Sequence, residues 1–398
     1  GNSGTDSGTT IASGGIQFVG FDFGTGTATS TTIDNGGGQY VGDSGGTGTA
    51  TSTTISGGVQ VVGDNNGTGT ATGTTILSGG AQYVGEDDFT AGTGTAISTT
   101  IDSGGKQYVG DGGGTGTATS TTISGGGRQI VGNSGGAGTA ISTTILSGGE
   151  QDVGDTRFST GTATSTTIGN GGTQYVGLVS GASATATSTT ISGGGTQYVG
   201  DSLFATGSAT GTTIDGDGWQ YVGAEFGTGT ATSTTISGGG SQGGIQVVGW
   251  DNGVGTATST TILSGGEQDV GRGGTGTAID TTLSGGVQVL GFGGNSTGTA
   301  TSTTIDSGGT QYVGYNGGTG TATSTTVLSG GVQNVGGNFG GTVGTGTATS
   351  TLLSGGTQHV SGGGTATDTT VYAGGLEEVS SGGVANAPVI DGGTLRLD

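Results

Sequence analysis

Residues 36–42 read Gly-Gly-Gly-Gln-Tyr-Val-Gly, and this phrase recurs with small changes through the whole chain. Its glutamines stand at positions 17, 39, 60, 82, 107, 129, 151, 174, 197, 220, 246, 268, 288, 311, 333 and 358. The sixteen positions have a mean spacing of about 22.7 residues, which is typical of a solenoid in which each repeat forms one coil.

The composition supports a periodic structure and excludes an ordinary globular enzyme. Of 398 residues, 105 are Gly, 27% are hydrophobic and 8% are charged. A chain this poor in apolar residues stays disordered unless a repeat orders it. The net charge of −22 opposes binding to nucleic acid, no apolar run is long enough for a direct membrane span, and the absence of Cys excludes disulfides and thiolate metal sites.

A second phrase separates successive glutamines and reads Thr-Gly-Thr-Ala-Thr-Ser-Thr-Thr-Ile at residues 25–33. Thr, Val, Ile and Tyr favour strands, Gly-rich junctions favour corners, and the scarcity of Leu, Glu, Lys and Arg leaves little to form helices. Each repeat therefore predicts two strands and two corners. The expected fold is all-β, a parallel β-solenoid of about 16–17 coils with 19–26 residues each.

Comparison between repeats predicts which side chains point inward. The residues on either side of the glutamine vary and include Lys106, Glu150 and Asp152, so both places should face water. Gln39, Val41 and their equivalents hardly vary and should line the interior. A buried glutamine column is acceptable only if its amides are hydrogen-bonded.

The Thr-rich phrase is harder to orient. Its Ser30 place carries Asp280 in another repeat and should face outward, whereas its Thr29 place carries Ile97 and should face inward. The predicted inward set comprises Thr29, Thr31 and Ile33. Because Ala28 then falls on the outward parity, we expect a corner near it that resets the alternation.

The coil at residues 355–371, Gly-Gly-Thr-Gln-His-Val-Ser-Gly-Gly-Gly-Thr-Ala-Thr-Asp-Thr-Thr-Val, resembles the repeat of AIDA-type self-associating autotransporter adhesins. The resemblance covers nearly the whole chain. It implies the right-handed β-helix of a secreted passenger at the surface of a Gram-negative bacterium, held there by a C-terminal outer-membrane barrel. It also implies roles in cell aggregation, biofilm and adhesion, partners among identical chains and host or matrix glycans, and O-linked heptose.

The chain begins and ends within a repeat. We therefore expect residues 1–398 to be a single solenoid segment of a longer passenger, truncated at both ends, with more compact, family-like coils at 355–398. Most other coils are longer than those of the family through insertions after Val-Gly.

An aromatic column is the first candidate interaction face. Seven of the nine tyrosines and one Phe occupy the outward place after the glutamine: Tyr40, Tyr83, Tyr108, Tyr175, Tyr198, Tyr221, Tyr312 and Phe18. Aromatic residues in register on neighbouring strands can stack for stability, or offer flat faces to a sugar or to another solenoid. Both interpretations stay open.

A second candidate stripe follows the Val-Gly corner, where aromatic residues stand among acidic ones. It includes Phe89, Phe158, Phe204, Phe226 and Trp250. Exposed apolar side chains with an acidic rim indicate contact sites, and the alternative is that they fold down over the flank of the coil.

Metal and catalytic sites have weak signals. We expect no cofactor, with Ca²⁺ at Glu86, Asp87 and Asp88 as the alternative to a solvated acidic loop. The pairs Glu150 with Asp152 and Glu267 with Asp269 have a spacing compatible with glycoside hydrolysis. Both pairs should lie on an open stripe without Arg, Lys or His to tune their acidity, so no catalytic residue and no enzymatic activity are predicted. The single histidine, His359, has no predicted metal or triad partner.

These observations predict a non-enzymatic extracellular adhesin or stalk that acts through its lateral faces. The outward serines are the plausible O-glycosylation sites: Ser30, Ser52, Ser120, Ser165 and Ser233. One alternative is a subunit of an extracellular filament that assembles end to end. Another is an ice-binding solenoid whose Thr ladders use Thr27, Thr29 and Thr31, although the inward assignment of two of these threonines argues against it.

Overall fold

The computed structural model describes residues 3–86, 90–239, 243–337 and 342–398, and shows a parallel β-solenoid of about 18 coils. Each coil contributes one strand to each of three parallel sheets, and the described residues contain no helix. The predicted fold class is confirmed. Two further coils continue the glutamine repeats at the C-terminal end, where Glu377 and Leu395 take the place of the glutamine.

The Gln sheet contains the strands that carry the glutamine phrase. Its strands are Ile16–Phe21, Gly38–Asp43, Val59–Val62, Ala81–Val84, Lys106–Val109, Arg128–Val131, Glu150–Val153, Thr173–Val176, Thr196–Val199, Trp219–Val222, Ile245–Trp250, Glu267–Arg272, Val287–Phe292, Thr310–Tyr315, Val332–Val335, Thr357–Val360, Leu376–Val379 and Thr394–Leu397.

The Thr sheet contains the first part of the Thr-rich phrase. Its strands are Ser3–Ser7, Thr25–Thr29, Thr47–Thr51, Thr68–Thr72, Thr93–Ile97, Thr115–Thr119, Ala137–Ile141, Thr160–Thr164, Ser183–Thr187, Thr206–Thr210, Thr228–Thr232, Val254–Thr258, Thr275–Ile279, Thr297–Thr301, Thr319–Thr323, Thr345–Thr349, Gly364–Thr367 and Val384–Asn386.

The Ile sheet contains the short strands that end the phrase. Its strands are Thr10–Ile11, Thr32–Ile33, Thr54–Ile55, Thr75–Ile76, Thr100–Ile101, Thr122–Ile123, Thr144–Ile145, Thr167–Ile168, Thr190–Ile191, Thr213–Ile214, Thr235–Ile236, Thr261–Leu263, Thr282–Ser284, Thr304–Ile305, Thr326–Leu328, Leu352–Ser354, Thr370–Tyr372 and Val389–Asp391.

The coils group into two compact units. The first comprises Gly1–Thr190, Gly195–Gln197 and Phe204–Ser208, and the second Ile191–Gly194, Tyr198–Leu203 and Ala209–Asp398. Both units use the same in-register pairing, in which each glutamine lies opposite the glutamine of the next coil. The expectation of one solenoid segment within a longer passenger stays a prediction.

The prediction of two strands per coil is wrong, because a corner at Ser30 divides the Thr-rich phrase. Ser30 has a φ of 56°, and the equivalent serines of other coils have nearly the same angle. This left-handed residue ends the Thr sheet and resets the alternation. Consequently Ala28 points inward and is buried, whereas Thr29 points outward, contrary to the inward assignment. Thr31 and Ile33 are buried as predicted.

The interior column of glutamines is fully hydrogen-bonded, as the sequence requires. Gln60 Nε2 donates to Gln39 Oε1 at 2.7 Å and to Thr53 Oγ1 of its own coil at 3.1 Å. Thr74 Oγ1 of the next coil donates to Gln60 Oε1 at 3.4 Å. The second unit repeats this arrangement, so each amide is satisfied by its neighbours and can be buried without an unmet polar group.

Glycine in the Thr sheet allows that sheet to approach the Gln sheet closely. A Cβ added to Gly48 would lie 2.1 Å from the Val19 carbonyl oxygen and 2.3 Å from the Gly42 nitrogen. A side chain fits there only if the backbones shift apart, because the contacted atoms belong to the backbone; Ala184 occupies the equivalent place in one coil. The interior between these two sheets is therefore filled by Val side chains of one and by Gly and Ala of the other, as with Val41 and Ala50.

Candidate interaction face

The outer surface of the Gln sheet carries the predicted aromatic column, and in-register pairing brings its rings together. Phe18 lies opposite Tyr40 with ring centroids 5.2 Å apart, and Tyr83 lies opposite Tyr108 at 4.7 Å. In the second unit, Tyr198 and Tyr221 are 5.0 Å apart. All seven tyrosines of the column are half-buried and Phe18 is exposed, so the column both stacks and offers a surface.

The corner stripe and the aromatic column form one surface at several coils, which the sequence did not reveal. The chain continues as a strand beyond Val-Gly in these coils, and this places the following residue beside the column. Phe21 lies 4.8 Å from Phe18, and Trp250 lies 5.1 Å from Tyr221. We name this combined surface the aromatic face: Phe18, Phe21, Tyr40, Tyr83, Tyr108 and Tyr175 in the first unit, and Tyr198, Trp219, Tyr221, Trp250, Phe292, Tyr312 and Tyr315 in the second.

Trp219 and Tyr315 are members of the aromatic face that the sequence-based candidates omit, and Phe292 joins them from the corner stripe. Trp219 stacks on Tyr221 at 5.8 Å, and Phe292 stacks on Tyr315 at 5.3 Å. Trp219 precedes a glutamine, and the other two follow the Val-Gly or Leu-Gly corner. The strands that carry Phe292 and Tyr315 extend past the corner, whereas strands followed by insertions of similar length, such as Val59–Val62 and Arg128–Val131, end before it, so insertion length gave no signal.

Three residues of the corner stripe stand apart from these stacks and project from loops. Phe158, Phe204 and Phe226 are 79%, 71% and 58% exposed. Each also has a positive φ, between 60° and 68°, which is uncommon for a bulky side chain. Trp250, in contrast, packs on the aromatic face. Some members of the stripe are therefore exposed, as contact sites would be, and another folds onto the coil. Phe89 lies outside the described residues.

Two carboxylates are buried within the aromatic face, which corrects the prediction of an open stripe. Asp152 and Asp269 occupy the place after the glutamine and are 0% and 1% exposed. Asp152 lies between Ile130 and Tyr175 on the neighbouring strands, whose side chains cover it.

The prediction that no basic residue accompanies these acids is also wrong. Arg128 Nε bonds to Asp152 Oδ2 and lies 2.9 Å from Glu150 Oε1, and Arg272 Nη1 lies 2.9 Å from Asp269 Oδ2. Lys106, Arg128 and Glu150 are in register on three successive strands, and Arg128 contacts the buried aspartate as well as the outward glutamate.

Burial dominates the acidity of both aspartates. It raises the pKa of Asp152 to about 8, against the opposing effect of Arg128 and with a further increase from Glu150. It raises the pKa of Asp269 to about 7, with Glu267 adding to the shift and Arg272 opposing it. A general acid must touch its substrate. These buried carboxyls do not reach solvent, and each accepts a hydrogen bond from an arginine, so their arrangement is structural.

The remaining polar candidates have simple surroundings. His359 Nδ1 lies 2.7 Å from Glu378 Oε2, a partner that the sequence did not predict, and burial lowers the pKa of His359 with a smaller effect from Arg396. Among the described residues, no group of three or more acidic or histidine side chains is placed to hold a metal ion. Asp87 and Asp88, two of the calcium candidates, lie outside those residues, so this hypothesis stays a prediction.

The glycosylation candidates share one place in the coil. Ser30, Ser52, Ser120, Ser165 and Ser233 are all exposed, and all lie at the left-handed corner between the Thr sheet and the Ile sheet, with φ between 56° and 58°. Their hydroxyl groups therefore form a column along a ridge of each unit. Whether they carry sugar stays a prediction.

Comparison with known proteins identifies one kind of similar structure. The chain is similar to a crystal structure of a TibA fragment hyper-glycosylated by TibC, at 29% identity over 99% of this chain and 97% of that one, with a TM-score of 0.40. TibA is an AIDA-type autotransporter adhesin passenger, the family that the repeat phrases resemble. A TM-score this low carries no functional argument. No known family and no curated protein matches the chain.

No helix long and apolar enough to cross a membrane occurs in the part of the chain that the structure describes.

Proposed function

We propose that the protein is an extracellular, non-enzymatic adhesin of the autotransporter type whose aromatic face, together with the exposed Phe158, Phe204 and Phe226, makes the adhesive contact. The observation that carries this proposal is the coexistence of half-exposed stacked rings on the Gln sheet with three exposed Phe residues on the loops that follow its strands. Stacked rings are already ordered, so binding a flat apolar or saccharide surface costs them little entropy.

Identical chains are the first partners we propose. Because each chain carries a net charge of −22, two copies repel one another at low ionic strength. Association through aromatic contacts should therefore strengthen as salt screens the charge. Host or matrix glycans are the second class of partner, since tyrosine rings offer an apolar face for stacking and a hydroxyl for hydrogen bonding. The serine ridge is the proposed site of O-linked sugar.

The decisive experiment removes the three exposed Phe side chains without disturbing a stack. The variant Phe158→Ser/Phe204→Ser/Phe226→Ser should settle more slowly when displayed on cells, and the purified chain should sediment as monomer at salt concentrations where the parent associates. A matched control, Thr70→Ser/Thr117→Ser/Thr162→Ser, changes the same number of outward, half-buried side chains on the Thr sheet and should behave as the parent. Equal settling of the Phe variant and the parent would reject this assignment.

Glycan binding has its own readout. Purified parent and Phe variant are compared on an array of polysaccharides at fixed ionic strength, with circular dichroism to verify that both are folded. Binding by the parent that the Phe variant loses supports a saccharide partner. Binding by neither, together with salt-dependent sedimentation of the parent, supports association between identical chains alone.

A further inference from the structure

The outer surface of the Thr sheet presents one repeated pattern. Because the corner lies at Ser30, each strand directs three side chains outward, as Thr25, Thr27 and Thr29 do, while Gly26 and Ala28 point inward. In-register pairing extends these into three columns within each unit. The middle column reads Thr27, Thr49, Thr70, Thr95, Thr117, Thr139, Thr162, Thr185 and Ser208 in the first unit, and Thr230, Thr256, Thr277, Thr299, Thr321, Thr347 and Thr365 in the second.

This surface, which we name the Thr face, differs chemically from the rest of the molecule. From the strand Thr25–Thr29 to the strand Gly364–Thr367, the outward places of the described strands carry only Thr, Ser, Ala, Val and Ile. None of the 27 acidic residues of the chain and none of its aromatic residues occupies one of these outward places. In a protein with a net charge of −22, an uncharged surface of this extent needs an uncharged ligand.

The spacing of the Thr face is fixed in two directions. Neighbouring coils repeat about every 4.7–4.9 Å, and alternate residues along a strand repeat about every 6.6–6.8 Å. Threonine is branched at Cβ and has few rotamers, so its hydroxyl and methyl groups are held in place. The close approach of the Thr sheet to the Gln sheet at Gly48 and its equivalents leaves the backbone little room to move.

A single polysaccharide chain is periodic in one direction and most protein surfaces in none, whereas the Thr face of a second copy shares the two-dimensional period and is the competing occupant. A ligand that matches the Thr face has to be uncharged, flat, periodic in two directions and able to donate and accept hydrogen bonds at each point. We propose that the Thr face binds ice, with the threonine hydroxyls joining an ordered layer of water and the methyl groups packing within it. Of the two inward assignments that argued against this function from the sequence, the structure removes that of Thr29, whereas Thr31 is buried and is not part of the Thr face.

The experiment uses the whole chain and ice itself. During slow freezing of a dilute solution, we expect the parent to be enriched in the ice at least several-fold over a non-binding acidic protein, and to show measurable thermal hysteresis. The variant Thr117→Lys/Thr321→Lys places a long charged side chain in the middle column of each unit and should lose most of both effects. The control Thr173→Lys/Thr310→Lys makes the same change on the Gln sheet and should keep them.

Two further variants distinguish loss of ice binding from unfolding of the chain and from loss of the adhesive function. Should the Lys variant unfold by circular dichroism, Thr119→Tyr/Thr323→Tyr tests the same face in both units with a bulky neutral side chain and should also abolish ice enrichment. The Phe158→Ser/Phe204→Ser/Phe226→Ser variant should bind ice as the parent does, because it leaves the Thr face intact. Exclusion of the parent from ice, or full activity in folded Thr117→Lys/Thr321→Lys, would overturn the proposal.

Discussion

The Thr sheet and the Gln sheet enclose the same coils, yet they fill the interior in opposite ways. The Thr sheet directs Gly and Ala inward and presents a uniform outer surface, whereas the Gln sheet directs Gln and Val inward and presents a variable one. The difference shows that the Thr sheet allows the close approach of the two backbones, whereas the Gln sheet makes the interior hydrogen bonds. One sheet supplies small residues that let the backbones meet, and the other supplies the polar column that fixes the register.

The largest expected effect comes from adding a methyl group inside the Thr sheet. In Gly116→Ala the new Cβ would lie 2.0 Å from the Val84 carbonyl oxygen and 2.3 Å from the Gly110 nitrogen, so the two sheets must separate. We expect a loss of about 3–5 kcal/mol in the free energy of unfolding. Denaturant unfolding measures it. The control Gly4→Ala occupies the equivalent place in the first coil, where no atom lies within 4 Å, and should change stability little. Similar values for both would contradict this account of the glycine column.

A somewhat smaller effect should follow from removing one amide of the Gln sheet. Gln151→Met keeps the length of the side chain but leaves Gln129 Oε1 without its 2.7 Å donor and Gln174 Nε2 without its 2.6 Å acceptor. A loss of about 2–4 kcal/mol is expected, since two buried polar atoms lose a partner. The outward change Thr173→Leu serves as the control in chemical denaturation. If Gln151→Met proves as stable as this control, the glutamine column does not hold the register.

The buried carboxylates of the aromatic face predict a pH dependence. Because the pKa of Asp152 in the folded protein is about 8, well above its unfolded value, the folded state retains a proton that the unfolded state releases between about pH 4 and 8. Stability contributed by this group therefore falls as pH rises through that interval. Asp152→Asn removes the effect, so its melting temperature should fall less than that of the parent between pH 5 and 9. The difference at pH 9 should correspond to about 1–3 kcal/mol.

The control for this titration is Asp34→Asn, which removes one negative charge from an exposed corner. It should follow the parent, because it leaves the buried carboxyl in place. Parallel pH profiles for Asp152→Asn and the parent would show that the buried aspartate does not titrate in this interval.

The smallest expected effect lies at the C-terminal end of the glutamine column, where Glu377 occupies the place of a glutamine. No described residue donates a hydrogen bond to its buried carboxyl oxygens, and the single hydroxyl proton of Thr369 goes to Gln358 Oε1 at 3.1 Å. Burial raises the pKa of Glu377, and a protonated carboxyl could itself donate to Gln358. Glu377→Gln supplies that donor at every pH and should stabilise the protein by about 1 kcal/mol at pH 7.

The pH dependence of this variant gives a second check. The gain should shrink towards acidic pH, where Glu377 is protonated and can act as the donor. Asp391→Asn, an exposed charge change near the same end, is the control in thermal unfolding. A gain of equal size in both variants would attribute the effect to net charge instead of to the glutamine column.

Asp6 shows why the two ends of the column differ. Every glutamine amide in the described ladder donates towards the preceding coil, so the first coil needs an acceptor and the last needs a donor. Asp6 Oδ2 accepts from Gln17 Nε2 at 2.7 Å and from Thr9, and these hydrogen bonds lower the pKa of Asp6. At the N-terminal end of the column, the ionised carboxylate of Asp6 accepts the amide hydrogen bond. At the C-terminal end, a protonated carboxyl of Glu377 can donate the hydrogen bond that Gln358 needs.

Much of the fold could be predicted from the sequence because the interior is repetitive. The fixed Gln39 and Val41 places identified the buried columns, and the glutamine spacing identified the solenoid. The corner at Ser30 could not be located, because Ser and Thr are equally compatible with strands and the signal lies in the sign of φ. The predicted inward orientation of Thr29 is consequently wrong. The constant Ala28, which falls on the outward parity, is the feature that indicates a corner nearby.

The candidate site was predicted less completely. The column that contains Tyr83 and Tyr108 followed from periodicity alone. The burial of Asp152 could not be predicted in this way, because a charged residue in one repeat indicates that the equivalent place of every repeat faces water. Its cover comes from Ile130 and Tyr175 of the neighbouring coils and its charge partner from Arg128, and these contacts depend on which residues happen to lie opposite one another.

The directional glutamine column has a genetic consequence. The glutamine of each coil donates a hydrogen bond to the glutamine of the preceding coil and accepts one from the next coil. Deleting one coil between equivalent glutamines therefore leaves two coils whose glutamines can pair with each other. Recombination between repeats in the gene can therefore add or delete whole turns in frame. The length of the protein becomes a trait that selection can adjust in steps of one repeat, independently of how each turn folds.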